Sequence, residues 1–399
     1  MKDLQLYNTN PYDKLLLLST LALIAFGALM IYSSTSVITP AHGRKGITEF
    51  FYFKRHLFTI LIGFGFMYIT YRVRPIYFKK IAIPFLVFSF ILLILVFLPG
   101  IGVSSGGAKR WIRLWPSTLQ PSELVKLSMV IFLARYLSDS DYKTDTFMSF
   151  IKPVLVMLIF QVVIIKQPDF GAAMSLVFLT FSMLFLSGTR IRYLLSLTLL
   201  ALPVLYKLMM EPYRLRRIVS FLDPWKDSQN SGFQLVQSFI AFGSGGISGV
   251  GIGGSKQKLS YLPESHTDFI FSIVGEEFGF IGVSIVLILF LLILIRGISI
   301  ANRAKDMFIH YLAMGLSLMI SLQALINFAV ATGMVPTKGL PLPFISYGGS
   351  SLLVNMAAVG ILLNISRRRD EEEPLYKQRL IARRKARRII ETRKQGSNE

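Results

Sequence analysis

The chain has 399 residues, of which 53% are apolar and 16% charged, with 43 Lys and Arg against 22 Asp and Glu and a net charge of +21. A soluble domain carries ~25% charged residues, so this composition excludes an ordinary soluble enzyme and suits about ten membrane helices of ~20 residues. The absence of cysteine excludes disulfides, thiolate catalysis and cysteine-ligated metals, and the four histidines are scattered.

Apolar stretches recur at residues 15–21 (continuing to about 34), 57–71, 82–99, 119–137, 150–166, 170–187, 191–210, 269–298, 309–333 and 348–366. They predict an all-α polytopic membrane protein of about ten spans, with residues 1–366 as one membrane domain. The first stretch is too long for a signal-peptide core and reads as a retained anchor. Basic residues such as Lys79, Lys80, Arg190, Arg192, Arg296, Arg303 and Lys305 fall on one side, together with the tail from residue 367 to 399. That bias predicts both termini in the cytoplasm. The longest connection, 211–268, then faces outward. With Trp225, Phe233, the run Ile240 to Phe242 and glycines from Gly243 to Gly254, it reads as a partly ordered loop on the membrane surface. The basic tail suits anionic lipid headgroups better than nucleic acid, and a specific cytoplasmic partner is the other reading of it.

Three constellations lie on the predicted outer face. In GAKRWIRLWPSTLQPSELVK, residues 107–126, Arg110, Arg113 and Trp111 can hold a phosphate and stack on a sugar. Glu123 and Lys126, three residues apart, share a helix face, where an ion pair competes with a substrate-binding role. In LPESHTDFIFSIVGEEFG, residues 262–279, His266 and Asp268 precede a long apolar helix. Asp268 is either a helix cap or a carboxylate doing chemistry at the membrane boundary. Glu276 and Glu277, two turns inside that span, are either ion-paired or line a polar cavity, while Gly275 and Gly279 suit close helix packing. In MVPTKGLPLPFISYGGSS, residues 334–351, three prolines forbid a continuous helix around Lys338. Gly348, Gly349, Ser350 and Ser351 then open a helix whose free amides can receive an anion, and Ser346 is a further substrate-binding candidate. Gly249, Gly251 and Gly254 match a dinucleotide pattern, but no strand–helix context accompanies them. The inventory suits a substrate with a lipid tail, a diphosphate and a sugar.

HTDFIFSIVGEE, KRWI followed by QPSELVK, and PLPFISYGGSS resemble the SEDS family (shape, elongation, division and sporulation). PTKGLPLPFISYGGSS, with Thr337, Lys338 and Gly339, is more similar to the FtsW-like division branch than to the RodA-like elongation branch. The resemblance implies a peptidoglycan glycosyltransferase of the bacterial cytoplasmic membrane, acting at the septum, that polymerises lipid II into glycan strands. It implies as partners a class B penicillin-binding protein transpeptidase and other division proteins. Asp268 matches the family's essential acidic residue, and Trp111, Glu123, Lys126 and Lys338 match its functional cavity. Trp115 stands before Pro116 where the family usually has glycine.

The implied reaction is attack by an acceptor sugar hydroxyl on an α-linked lipid-diphosphate donor to give a β-1,4 bond. Such inversion needs a single base, Asp268, and relief of charge on the leaving diphosphate by Arg110, Lys126, Lys338 or a divalent cation (Mg²⁺ or Mn²⁺), for which no motif is present. A lipid II flippase or transporter, and a divisome scaffold, are the competing functions.

Overall fold

The computed structural model describes residues 12–35, 51–105, 108–114, 117–139, 142, 144, 146–230, 232–258, 266–337 and 339–367. Lys338, the Trp115–Pro116 pair and the tail beyond residue 367 lie outside the described residues. The protein is a multi-pass helical membrane protein. Its helices are α1 (Lys14–Thr35), α2 (Phe51–Arg72), α3 (Pro75–Leu95), α4 (Pro121–Leu137), α5 (Phe147–Lys166), α6 (Phe170–Leu186), α7 (Ile191–Met209), α8 (Pro212–Leu222), α9 (Phe233–Gly245), α10 (Ile270–Asn302), α11 (Met307–Ala331) and α12 (Gly349–Arg367). Ten of these correspond to the ten predicted spans. Six are long and apolar enough by themselves to cross a bilayer, α1, α3, α5, α10, α11 and α12.

Local sequence sets the helix ends. Pro75, Pro121 and Pro212 open α3, α4 and α8, where a missing amide hydrogen costs nothing. Asp306 caps α11 by accepting from the amides of Phe308 at 2.8 Å and Ile309 at 3.2 Å. Asp169 does the same for α6 through Ala172. The centre is built on α11, which packs on α4, α6 and α10, while α1 also packs on α10. α12 is 89% buried over its apolar window, against 28% for α3 and α10, so it is enclosed by protein while much of α3 and α10 faces outward. At Gly360 a side chain would strike Met67 and Thr70, so glycine lets α12 approach α2.

Both ends of the described chain share one face of the bundle. The Asp13 amide donates to Ser366 Oγ at 3.0 Å, and Arg296 pairs with Asp13 at 2.5 Å. The opposite face carries a small sheet within the segment that precedes α4. Its strands are β1 (Gly102–Ser105), β2 (Ala108–Leu114) and β3 (Ser117–Leu119), antiparallel in the order β1-β2-β3, with Val103 opposite Trp111 and Ile112 opposite Leu119. The predicted surface loop 211–268 likewise contains two helices, α8 and α9. Along α8, Leu215, Val219 and Leu222 are exposed at helical spacing, the pattern of a helix lying in a membrane interface.

α10 is broken once. Gly279 has φ 63° and ψ −160°, a conformation essentially reserved for glycine. The amides of Phe280 and Ile281 donate to the carbonyls of Gly246 (2.9 Å) and Ile247 (3.2 Å), while the carbonyls of Glu276 and Glu277 accept from Val250 (3.0 Å) and Gly251 (3.1 Å). The glycine-rich loop therefore satisfies the backbone that the break exposes, which is its structural use. The break therefore separates the short stretch of α10 that carries Glu276 and Glu277 from the longer apolar stretch that starts at Phe280.

Candidate active site

Helix ends gather on the sheet-bearing face. A cavity of about 170 Å³ opens there, lined by Arg55, His56 and Thr59 of α2, Trp111 of β2, Gln120 at the start of α4, and the 341–351 segment leading into α12. From that last segment Tyr347, Gly348, Gly349 and Ser350 reach the cavity. Ser350 Oγ accepts from the Gln120 amide at 2.8 Å and donates to the Thr118 carbonyl at 3.3 Å, locking α12 to the entrance of α4. The first-turn amides of α12 and the Arg55 guanidinium give this end of the cavity positive potential.

The Asp268 loop forms the next layer. Ser346 Oγ donates to the Thr267 carbonyl at 2.6 Å, and the Tyr347 amide donates to the His266 carbonyl at 2.9 Å. The His266 ring lies 5.7 Å from Tyr52 and 5.9 Å from Tyr347 between centroids. Asp268 is half-buried immediately before α10, and a Cβ placed on Gly339 would stand 2.9 Å from its Oδ2. Burial raises the Tyr347 hydroxyl above the ordinary phenol range, and a hydrogen bond and the charge of Arg55 pull it back.

Glu123 and Lys126 are 1% and 3% exposed, paired at 2.8 Å under the cavity. Lys126 Nζ also donates to Gln323 Oε1 at 2.6 Å, and Gln323 Nε2 donates to Ser351 Oγ at 2.9 Å, so the pair reaches the cavity wall through one amide. Arg110 is directed elsewhere, donating to the carbonyls of Gln167 and Pro168. Trp111, Gly348, Gly349 and Ser350 thus line the cavity, the 266–268 segment is tied to that lining through Ser346 and Tyr347, and Glu123 and Lys126 lie beneath it.

Glu277 belongs to a separate cluster, paired with Lys258 at 3.1 Å and accepting from Ser33 Oγ at 2.6 Å. Glu276 accepts from Ser255 Oγ and from the amides of Lys256 (3.0 Å) and Gln257 (3.4 Å). Ion pairing and loop anchoring, not a polar cavity, account for both. Sequence reading missed Arg55, His56 and Gln323 as site residues. Among the described residues no group of three His, Asp or Glu side chains converges.

These elements define a polytopic helical membrane protein with a positively charged polar cavity at one face and a carboxylate on the adjoining loop. The family model of the FtsW, RodA and SpoVE cell cycle proteins matches residues 13–371, and the chain belongs to that family. It is 45% identical over 359 residues to a probable peptidoglycan glycosyltransferase FtsW of Geobacter sulfurreducens, covering 90% of this chain and 95% of the relative. It is 41% identical over 361 residues to the stage V sporulation protein E of Bacillus subtilis, covering 90% and 98%. A solved chain from work on polymerization and crosslinking by a peptidoglycan synthase complex superposes with TM-score 0.74 at 28% identity, covering 90% and 98%. The rod shape determining protein RodA of Thermus thermophilus superposes with TM-score 0.65 at 27% identity, covering 90% and 97%.

Proposed function

We propose that the protein is a division-type peptidoglycan glycosyltransferase that polymerises lipid II with inversion, Asp268 serving as general base. The observation that carries this is the attachment of the Asp268 loop to the cavity wall through Ser346 and Tyr347. It sets a half-buried carboxylate beside an anion-favouring cavity without making it part of that cavity's positive lining. The relatives described as glycosyltransferases support the same activity.

In this reading the Asp268 carboxylate removes the proton from the acceptor 4-hydroxyl as the oxygen attacks the anomeric carbon of the donor. The bond to the diphosphate breaks, and the leaving oxygens are stabilised by Arg55 and the first-turn amides of α12. Trp111 offers a ring face for a sugar. Lys126, held by Glu123 and Gln323, supplies positive charge from below. The cavity face is the extracytoplasmic one, both termini are cytoplasmic, and a transpeptidase partner crosslinks the product. Lys338, outside the described residues, is proposed as a further cation for the diphosphate.

The test is polymerisation of lipid II by the purified protein with its transpeptidase. Asp268→Asn is expected to lower the rate by ~10²–10⁴ while keeping the thermal midpoint. Polymerisation by Asp268→Asn at the wild-type rate refutes the base assignment.

A further inference from the structure

We propose that Gln323 and Asn327 of α11 are positioning residues that hold the Asp268 loop, Lys126 and the start of α12 in one fixed relation, an inference that rests on Asp268 being the base. The two amides are four residues apart and so share one helix face, and they are 2% and 1% exposed. Asn327 Nδ2 donates to the carbonyl of Asp268 itself at 2.8 Å and to that of Leu340 at 2.7 Å. Gln323 Nε2 donates to the carbonyl of Pro341 at 2.9 Å and to Ser351 Oγ at 2.9 Å, while its Oε1 accepts from Lys126 Nζ. A primary amide has two donor hydrogens, and each of these side chains places both on separate segments of the site.

Packing does not require amides there. Leu316, Ile320, Ala324 and Phe328 bury the apolar surface of the same stretch of α11, and buried polar groups in a membrane helix are expensive unless they serve a partner. The partners explain the residue type. The irregular 339–348 segment and the Asp268 loop present backbone carbonyls in protein interior, where each needs a donor. A carboxylate would repel those carbonyls and a lysine would add a second cation beside Lys126. A neutral side chain with two donors fits both positions. By fixing the carbonyl of the residue that carries the base, Asn327 also limits how far its carboxylate can drift, and a displacement of ~1 Å at a reacting group costs ~10²-fold in rate.

The experiment measures lipid II polymerisation by the full-length protein with its transpeptidase, as kcat, KM, the pH dependence of kcat and the thermal midpoint, for Asn327→Leu and Asn327→Asp. Asn327→Leu is expected to lower kcat ~10²-fold with KM within ~3-fold, and to displace the acid limb of the kcat profile, which a purely structural role would leave in place. Asn327→Asp, whose buried carboxyl is neutral and keeps one donor, is expected to fall between the two. Wild-type kcat with an unmoved acid limb in either variant overturns the proposal, as does a loss matched by the fraction of unfolded protein. Asp268→Asn separates the two readings. If it retains activity, the base assignment fails, whereas an inactive Asp268→Asn beside a fully active Asn327→Leu refutes positioning alone.

Discussion

Replacing Glu277 with Leu while leaving Lys258 in place is expected to be among the most destabilising single changes outside the core. Lys258 and Glu277 have side chains 2% and 0% exposed and meet at 3.1 Å, with Ser33 Oγ 3.2 Å from Lys258 Nζ and donating to the carboxylate. The pair ties the 246–258 loop to α1 and to the broken start of α10. Removing one member strands a desolvated ammonium whose remaining named partner is a hydroxyl, and stranding a buried charge costs about 3–5 kcal/mol. Replacing both, as Lys258→Met with Glu277→Leu, removes the stranded charge and is expected to fall within ~1 kcal/mol of the wild type or above it. Thermal or denaturant unfolding of the four proteins of this cycle in detergent micelles measures the coupling. A cost below ~1 kcal/mol for Glu277→Leu, or a double variant that loses the sum of both single costs, refutes the view that desolvated charge dominates here.

At Gly339, a methyl group would press on Asp268 Oδ2, so Gly339→Ala is expected to lower polymerisation at least ~10-fold with little change in thermal midpoint; an unchanged kcat contradicts the proximity argument. Gly279→Ala forces a side chain into a glycine-only conformation and against Gly249 and Ile247, and is expected to lose ~1–3 kcal/mol from backbone strain, with faster hydrogen exchange at residues 246–251. Unaltered exchange there would show that the loop does not depend on the helix break.

The ten spans were legible because long apolar runs have few other uses, and Asp268, Trp111 and the 348–350 turn stood out within recognisable motifs. The small sheet was not legible, although Gly106-Gly107 between two short segments is a hairpin signal; AKRWIRL lacks the strict alternation of a strand, and short strands on a membrane protein are swamped by the helical pattern around them. α8 also carried a signal, Pro212 followed by Leu215, Val219 and Leu222. Arg55 and His56 were not legible as cavity residues, because nothing in α2 says which distant loop will stand opposite its first turns. Gln323 and Asn327 were available as paired amides at helical spacing inside an apolar helix, yet their partners come from the 266–268 and 339–351 segments and Lys126, which only the fold brings together. The break in α10 was not legible, because Gly279 is unremarkable in sequence.

The layout of charge bears on stereochemistry. In an inverting displacement the base and the leaving group act from opposite sides of the reacting carbon, whereas a retaining enzyme needs two carboxyl groups close together around it. Here Arg55 and the first-turn amides of α12 line the cavity, Asp268 stands outside that lining on the adjoining loop, Glu123 below the cavity floor is paired with Lys126, and Asp169 accepts at 3.1 Å from the side chain of Gln120. In the proposed mechanism a diphosphate held at the positive end leaves its sugar beside Asp268, while Glu123 and Asp169 are engaged by Lys126, by Gln120 and by the Ala172 amide. In that mechanism, spatial separation also keeps the proposed base from repelling the anionic substrate where the substrate is held. Within this arrangement the buried amides of α11 gain their importance, since a base placed apart from its anion site depends on something rigid between them to hold the distance.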